Sequence, residues 1–246
     1  MCDVCGCGQA AATRLVKIEE EVLQKNNAIA AAVRARLAER RALMINLLSA
    51  PGSGKTLLLE VSLPRLMAEV QVGVIEGDVQ TRYDAERLRR VGIPAVQINT
   101  GGACHLDAVG VQRVLGEPPL TSADVIVIEN VGNLVCPAAF DLGEQAKVVA
   151  VSVTEGDDKP EKYPAAFAVA SLMLITKVDL LPYVNFDVAR CKEGARQVHP
   201  GLPVIELSAR TGEGVDAWVE WLRHQLAHVR DVPHTHNEHH SHAHRH

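Results

Sequence analysis

The chain has 246 residues, of which 47% are apolar, 22% are charged and 3% are aromatic. This composition is ordinary for a globular protein, and the length fits one large α/β domain with an aliphatic core and small appendages. The net charge of −5 gives no support to nucleic-acid or anionic-membrane binding, so we expect neither kind of partner.

The N-terminal segment lacks the basic and apolar regions of a signal peptide, and no apolar run approaches the ~20 residues that a membrane span needs. We therefore expect a cytoplasmic protein. In that reducing compartment, the six cysteines favour thiols or metal ligands over disulfides.

The pattern of residue types divides the chain into four segments. We predict a Cys-rich motif over residues 1–12, an N-terminal helix over 13–42, the main domain over 43–230 and a His-rich tail over 231–246. The helix is predicted because apolar residues recur at helical spacing among charged ones.

The main domain alternates short aliphatic runs with amphipathic segments. The predicted strands are residues 43–48, 72–76, 95–98, 125–128, 148–153, 172–176 and 204–207. The predicted helices are residues 57–68, 84–91, 107–115, 187–198 and 215–229. This alternation predicts an α/β fold with three α/β/α layers and a doubly wound, mostly parallel sheet, in which ligands bind at the carboxyl ends of the strands.

Residues 49–56, Ser-Ala-Pro-Gly-Ser-Gly-Lys-Thr, lie between the first strand and the helix that follows it. This is the Walker A pattern of a P-loop: backbone N–H groups surround phosphate oxygens, Lys55 reaches the β- and γ-phosphates, and Thr56 binds Mg²⁺. The pattern departs from its usual form at Ser49, where glycine is usual. The predicted phosphate-binding residues are Gly52, Ser53, Gly54, Lys55 and Thr56.

Two carboxylates follow predicted strands and complete the expected catalytic group. Glu129 ends the Walker B strand and, with Thr56, is predicted to hold Mg²⁺. Asp78 follows the second strand as a candidate Mg²⁺ ligand or water-orienting group; its alternative role is a helix N-cap. With Lys55, these two are the catalytic candidates. Asn133 replaces the glutamine that orients water in Ras-like GTPases, which predicts slow intrinsic hydrolysis.

Two further motifs indicate which base is bound. Thr176, Lys177 and Asp179 match the guanine-reading pattern Asn/Thr-Lys-x-Asp. A carboxylate at Asp179 accepts hydrogen bonds from guanine N1–H and the 2-amino group, a pair that adenine cannot supply. Ser208 and Ala209 follow the last strand and resemble the loop that backs the guanine. Their order and spacing after a P-loop predict GTP rather than ATP.

Cys2, Cys5 and Cys7 form a Cys-x-x-Cys-Gly-Cys motif in a segment too short to be buried in a core. Intervening glycine lets the thiolates converge on one ion. Soft thiolates select Ni, Cu(I), Zn or Fe–S, and a mixed N/S square-planar site favours Ni(II). The alternative is a Cys-rich tail with no metal.

A second candidate metal site combines Cys104 and His105, after the third strand, with Cys136 in the expected switch region. Three ligands are too few for a closed structural zinc site, so an open or dimer-shared site is more natural. The alternative is a buried cysteine and a capping histidine. Cys191, within a predicted helix without nearby ligands, is interpreted as a packing residue.

The tail is expected to be disordered without metal and to bind Ni²⁺ or Zn²⁺ through neutral imidazoles, serving storage or buffering, unless it is an inert solvated tail. Its histidines are His234, His236, His239, His240, His242, His244 and His246.

Together, these motifs resemble those of the HypB family. Its members are SIMIBI-class P-loop GTPases that help to insert nickel into [NiFe]-hydrogenase. The matching positions are Cys2, Cys5, Cys7, residues 49–56 and 76–78, Cys104, His105, residues 129–134, Cys136, residues 177–179, Ser208 and Ala209. In the family a His tract usually precedes the P-loop, whereas here it is C-terminal.

The resemblance implies GTP, Mg²⁺, Ni²⁺ and Zn²⁺ as ligands and a homodimer in the GTP state, with Cys104, His105 and Cys136 near its interface. It implies a tight nickel site at Cys2, Cys5 and Cys7. The implied partners are a HypA-type metallochaperone and the hydrogenase large-subunit precursor.

The resulting hypothesis is a GTPase that hydrolyses GTP to GDP and phosphate and delivers nickel to the hydrogenase precursor. One alternative is an accessory GTPase for urease or a cobalamin enzyme. The other is a nickel-storage protein whose nucleotide site is vestigial.

Overall fold

The structure, a computed structural model, describes residues 7–78 and 83–231, with side chains described for residues 20–77 and 83–231. Within this part of the chain the strands are β1 (Leu43–Ser49), β2 (Val72–Asp78), β3 (Ala95–Asn99), β4 (Val125–Glu129), β5 (Ala146–Ser152), β6 (Leu172–Thr176) and β7 (Val204–Leu207). They form one seven-stranded sheet in the order β3-β2-β4-β1-β5-β6-β7.

Every strand pair in this sheet is parallel, which confirms the predicted doubly wound α/β sheet. The predicted strands agree with the observed ones to within two residues; β5 differs most, because Ala146 and Lys147 already pair with Ile45 and Asn46 of β1. All carboxyl ends therefore meet at one edge, where β1 is the central strand.

The helices are α1 (Cys7–Glu39), α2 (Lys55–Met67), α3 (Tyr83–Arg90), α4 (Ala108–Val114), α5 (Cys136–Ala139), α6 (Lys159–Lys162), α7 (Pro164–Ala168), α8 (Val188–Val198) and α9 (Val215–Asp231), with a 3₁₀ helix at Val178–Tyr183. The short helices α5, α6 and α7 and the 3₁₀ helix were not predicted. Each is too short to show a helical hydrophobic period, and three of them instead carry proline in the first turn.

The boundary predicted between the Cys-rich motif and the N-terminal helix is wrong, because α1 begins at Cys7 rather than at residue 13. The predicted start rested on the first apolar residues spaced among charges. The preceding run of alanines, residues 10–12, has the highest helix propensity and continues the helix toward the N-terminus.

Helices cover the sheet on both faces, which gives the three predicted layers. Along β1, Ile45 and Leu47 pack in a cluster with α2, α3 and α9, whereas Met44 packs with α1 and α4. Burial on both faces explains why the strand sequences are almost continuously apolar. Among the described helices, none combines the length and apolar character that crossing a bilayer requires.

Candidate nucleotide and metal site

The phosphate-binding loop begins where β1 ends, at the centre of the sheet. Gly52 and Gly54 have φ angles of 75° and 95°, a region that glycine enters without steric cost, and they turn the chain into α2. Lys55 is buried, and its Nζ donates a hydrogen bond to Ser49 Oγ at 2.9 Å. The one unusual residue of the Walker A pattern thus provides the acceptor for the phosphate-binding lysine.

Two buried carboxyl groups lie beside this loop. Glu129, at the end of β4, accepts a 2.8 Å hydrogen bond from the Thr56 hydroxyl. Glu76 of β2 is the register partner of Glu129 in the adjacent strand. The Oε2 atoms of both glutamates are buried, and no hydrogen-bond partner reaches them from the described residues. Orphaned carboxyl oxygens next to Thr56 fit a hard cation such as Mg²⁺.

Sequence reasoning did not identify Glu76 as a site residue. It ends the predicted strand 72–76, and its proximity to Glu129 depends on β2 lying next to β4 in the sheet. The signal that could have found it is a glutamate that directly follows the apolar residues Val74 and Ile75 of a buried strand, since a buried charge requires a partner.

Burial raises the pKa of Glu76 to about 11, and the neighbouring Glu129 carboxylate acts in the same direction. Burial also raises the pKa of Glu129, although the Lys55 ammonium opposes that effect. The pair therefore keeps a proton on Glu76 at neutral pH when no cation is bound.

The pH dependence of stability tests this assignment. Because the folded pKa of Glu76 lies above its unfolded value, its contribution to stability is fully present below about pH 4.5 and is lost progressively as pH rises toward about 11. In nucleotide-free protein without Mg²⁺, Glu76→Gln should therefore gain stability relative to the parent by roughly 1 kcal/mol per pH unit between pH 6 and pH 8. Urea unfolding at both pH values measures this; a pH-independent difference would contradict it.

The predicted guanine-reading residues come together at the ends of β6 and β7. Ser208 Oγ donates to Asp179 Oδ1 at 2.6 Å, which orients the carboxylate. Thr176 Oγ1 donates to Ser53 O at 2.8 Å, so the residue that replaces the usual asparagine ties this strand to the phosphate loop. Lys177 Nζ donates to Gly52 O at 2.6 Å and makes a second tie.

Two adjoining cavities match the two parts of a nucleotide. One of about 650 Å³ is lined by the phosphate loop, Glu76, Glu129 and Lys177. The other, of about 250 Å³, is lined by Asp179, Ser208 and Ala209 and also by Lys177. The arrangement has room for phosphates beside Lys55 and for a flat base beside Asp179.

The three residues of the second predicted metal site also lie close together. Cys104 Sγ lies 2.9 Å from Cys136 Sγ and 3.6 Å from His105 Nδ1. One ligand atom from each of the three residues lies within 4.8 Å of the others. The His105 ring stacks on Phe140 with a centroid distance of 3.8 Å, a contact that the sequence did not reveal.

The titration behaviour of these groups suits a transition metal. Hydrogen bonding to Cys104, together with burial, raises the pKa of Cys136, so this thiol retains a proton that a metal ion would displace. Burial lowers the pKa of His105, which favours the neutral imidazole that coordinates metals. Three such donors leave a coordination position open for exchange.

Several predicted residues cannot be placed with these. Cys2, Cys5 and the tail histidines lie outside the described residues, and Cys7 and Asp78 are described only as the first residue of α1 and the last of β2. Cys191 is fully buried in α8, and burial raises the pKa of its thiol to about 12. This agrees with the predicted packing role, because a thiol kept protonated in a core does not coordinate metals.

Comparison with known proteins agrees with this geometry. The family model described as CobW/HypB/UreG, nucleotide-binding domain, matches residues 43–206. Hydrogenase maturation factor HypB of Escherichia coli K12 is 55% identical over 212 residues, which are 86% of this chain and 73% of that protein.

Two solved structures are similar over most of the chain. HypB of Helicobacter pylori in complex with nickel superposes with a TM-score of 0.79 at 36% identity, covering 86% of this chain and 99% of that one. HypB of Archaeoglobus fulgidus gives a TM-score of 0.78 at 45% identity, covering 83% and 100%. The chain therefore belongs to the CobW/HypB/UreG family of P-loop GTPases and, within it, to the HypB hydrogenase maturation factors.

Proposed function

We propose that this chain is a cytoplasmic, GTP-hydrolysing metallochaperone that delivers nickel to the large-subunit precursor of [NiFe]-hydrogenase. The observation that supports this most directly is the course of residues 129–136. This connecting segment begins at the phosphate site with Glu129 and ends at the metal site with Cys136. A movement of Glu129 at the phosphate site would therefore move Cys136 at the metal site through one short segment of chain.

The connecting segment packs closely on the phosphate loop. A Cβ atom on Gly132 would lie 2.9 Å from Pro51 Cα, so only glycine permits this approach. Asn133 forms an isolated antiparallel bridge with Ser49, and its Nδ2 donates to Cys104 O at 3.3 Å. Asn133 thus touches the phosphate loop with its backbone and the metal site with its side chain.

These contacts give a mechanism for coupling. Lys55 would exchange Ser49 Oγ for phosphate oxygens, and Thr56 and Glu129 would hold Mg²⁺, which neutralises charge developing on the transferred phosphoryl group. Repositioning of Glu129 then shifts the connecting segment and with it Cys136. After hydrolysis the arrangement around Cys136 changes back, and the affinity for nickel falls.

We expect intrinsic hydrolysis to be slow. Asn133 occupies the position of the water-orienting glutamine of Ras-like enzymes, and its side-chain amide is already engaged with the Cys104 carbonyl. The proposed catalytic residues Lys55 and Glu129 line the phosphate cavity. Asp78 is the third proposed catalytic residue, and its carboxylate lies outside the described side chains.

The remaining features of the proposal concern partners and metals. An open three-ligand site can be completed by a second copy, which suits a homodimer in the GTP state, and its soft donors accept Zn²⁺ as well as Ni²⁺. Cys2, Cys5 and Cys7 would form a separate tight nickel site, and the tail histidines a store. The proposed protein partners are a HypA-type metallochaperone and the hydrogenase precursor.

Urease maturation is the alternative that a specific observation favours. A relative from Helicobacter pylori, 39% identical over 84% of this chain and 86% of its own length, is named a hydrogenase/urease maturation factor. Activation assays with each apoenzyme decide between the two targets, since the nucleotide and metal sites alone serve either.

The metal site is tested by Cys136→Ser in a background of Cys2→Ser, Cys5→Ser and Cys7→Ser, which removes the other cysteine motif. We expect nickel affinity at this site to fall at least about 10-fold, because a hydroxyl is a poor ligand for a soft metal. Loss of the thiolate-to-nickel absorption band, followed during chelator competition, measures it.

The matched control is Cys191→Ser, which alters a thiol that packs in the core rather than one in the metal site. Its nickel titration should overlay that of the background. An unchanged band in Cys136→Ser would show that Cys136 is not a ligand.

A further inference from the structure

Asn26, on the N-terminal helix α1, forms hydrogen bonds with the two chain segments that carry the proposed metal ligands. Its side chain is buried, with 5% exposure, in a part of α1 that packs against the body of the domain. A buried amide requires hydrogen-bond partners, and the identity of those partners shows what this residue does.

The carboxamide of Asn26 joins the two chain segments that supply the metal ligands. Its Oδ1 accepts a 2.9 Å hydrogen bond from Ala108 N, the first amide of α4, three residues after His105. Its Nδ2 donates to Asp141 O at 2.7 Å, in the loop that follows the Cys136 helix α5. One planar group therefore fixes the spacing between the Cys104–His105 side and the Cys136 side.

The position of Asp141 makes this contact more direct. The preceding residue is Phe140, whose ring stacks on the His105 imidazole at 3.8 Å. Asn26 therefore holds the Asp141 carbonyl, next to Phe140, and the Ala108 amide, three residues after His105. The His105 ring that packs against Phe140 carries Nδ1, which lies 3.6 Å from Cys104 Sγ.

Other contacts show that α1 is seated firmly against this loop. Arg34 Nη2 donates to Asp141 Oδ1 at 2.7 Å. A Cβ atom on Gly143 would lie 2.7 Å from Ala30 O, so the helix and the loop are in close contact. The helix therefore acts as a fixed support for the loop rather than as a loose appendage.

We propose that Asn26 is a positioning residue that sets the metal affinity of the Cys104, His105 and Cys136 site by holding its two halves at a fixed distance. This proposal rests on the metal binding proposed above. It also makes α1, the helix that begins at Cys7, a structural part of the metal site. Groups that orient ligands without touching the metal change affinity by about 10- to 100-fold in other sites.

The test uses the full chain carrying Cys2→Ser, Cys5→Ser and Cys7→Ser, titrated with Ni²⁺ alone in GDP while the thiolate-to-nickel band is recorded. Asn26→Ala should require about 10-fold more free Ni²⁺ for half-saturation and should alter the shape of the band, because the donor geometry changes. The shape of the band is a readout that a general loss of stability would not move.

The matched control is Arg40→Ala, at the residue that directly follows the C-terminal end of α1. Arg40 Nη2 also joins two backbone groups, since it donates to Leu120 O at 2.8 Å and to Ala123 O at 3.0 Å in a loop that carries none of the proposed metal ligands. Its nickel titration and band should match the background. A second variant, Arg34→Ala, serves if Asn26→Ala folds poorly. It removes a partly exposed contact to Asp141 and should weaken nickel binding about 3-fold.

The outcomes are distinguishable. If Asn26→Ala and Arg34→Ala both titrate like Arg40→Ala, the positioning role is wrong while the metal site stands. If the background chain itself shows no thiolate-to-nickel band, the proposed metal site fails, and the role of Asn26 fails with it.

Discussion

Lys55→Ala should abolish GTP hydrolysis and hydrogenase maturation while leaving nickel binding intact. The Lys55 ammonium is buried at the floor of the phosphate loop, bonded to Ser49 Oγ, where it is positioned to meet the β- and γ-phosphates. Removing one preorganised donor to developing charge typically costs about 100- to 1,000-fold in rate. The metal ligands lie on other segments, so their thiolates and imidazole should be unaffected.

Single-turnover hydrolysis, nickel dialysis and hydrogenase activation measure the three properties in the same variant. Wild-type hydrolysis should itself be slow, as the engaged Asn133 amide indicates. Lys162→Ala, at an exposed lysine paired with Asp158 on α6, is the control and should behave as wild type. A Lys55→Ala protein that still matures hydrogenase would support the storage hypothesis, in which the nucleotide site is vestigial.

Asp179→Asn should change the base that the protein prefers. The carboxylate of Asp179 faces the smaller cavity and is oriented by Ser208 Oγ at 2.6 Å. An asparagine side chain keeps an oxygen that accepts the hydrogen bond from Ser208. Its N–H group, however, would face the N1–H and 2-amino donors of guanine, and two donors cannot pair. We expect GTP affinity to fall at least about 100-fold, because a site built for particular hydrogen bonds strongly rejects a mismatch. Xanthosine triphosphate, which has a carbonyl in place of the 2-amino group, should bind the variant better than GTP.

Calorimetric titration with both nucleotides measures this exchange of preference. Asp187→Asn is the matched control, since Asp187 caps α8 away from the cavity and asparagine caps a helix equally well. Equal GTP affinity in Asp179→Asn and the parent would mean that the Lys177 and Asp179 pair is not a guanine site.

Much of the fold could be predicted because the main domain is built from strongly periodic, aliphatic elements. The strands at Leu172–Thr176 and Val204–Leu207 have the predicted bounds, since they are short, mostly apolar runs that begin after Ser171 and Pro203 and end before Lys177 and Ser208. The phosphate, guanine and metal motifs also lie where the parallel sheet requires, at its carboxyl edge. What local pattern could not supply was the start of α1 and the short helices such as α5.

The missed site residues share one physical cause. Glu76 acts with Glu129, Phe140 with His105, and Asn26 with both metal-bearing segments; each depends on neighbours far away in sequence. Strand order and helix docking create these contacts. A sequence motif can be recognised because its chemistry requires certain residues at a fixed spacing. The residues that support a site have no such spacing, because only the tertiary fold brings them close to it.

The most direct test of the coupling between the two sites is equilibrium dialysis of Ni²⁺ against the chain carrying Cys2→Ser, Cys5→Ser and Cys7→Ser, in GDP and in a non-hydrolysable GTP analogue. Coupling through the connecting segment predicts that nickel binds at least about 5-fold more tightly with the analogue than with GDP. By linkage, nickel should raise the affinity for the analogue relative to GDP by the same factor. Equal nickel affinities in the two nucleotide states would contradict the account.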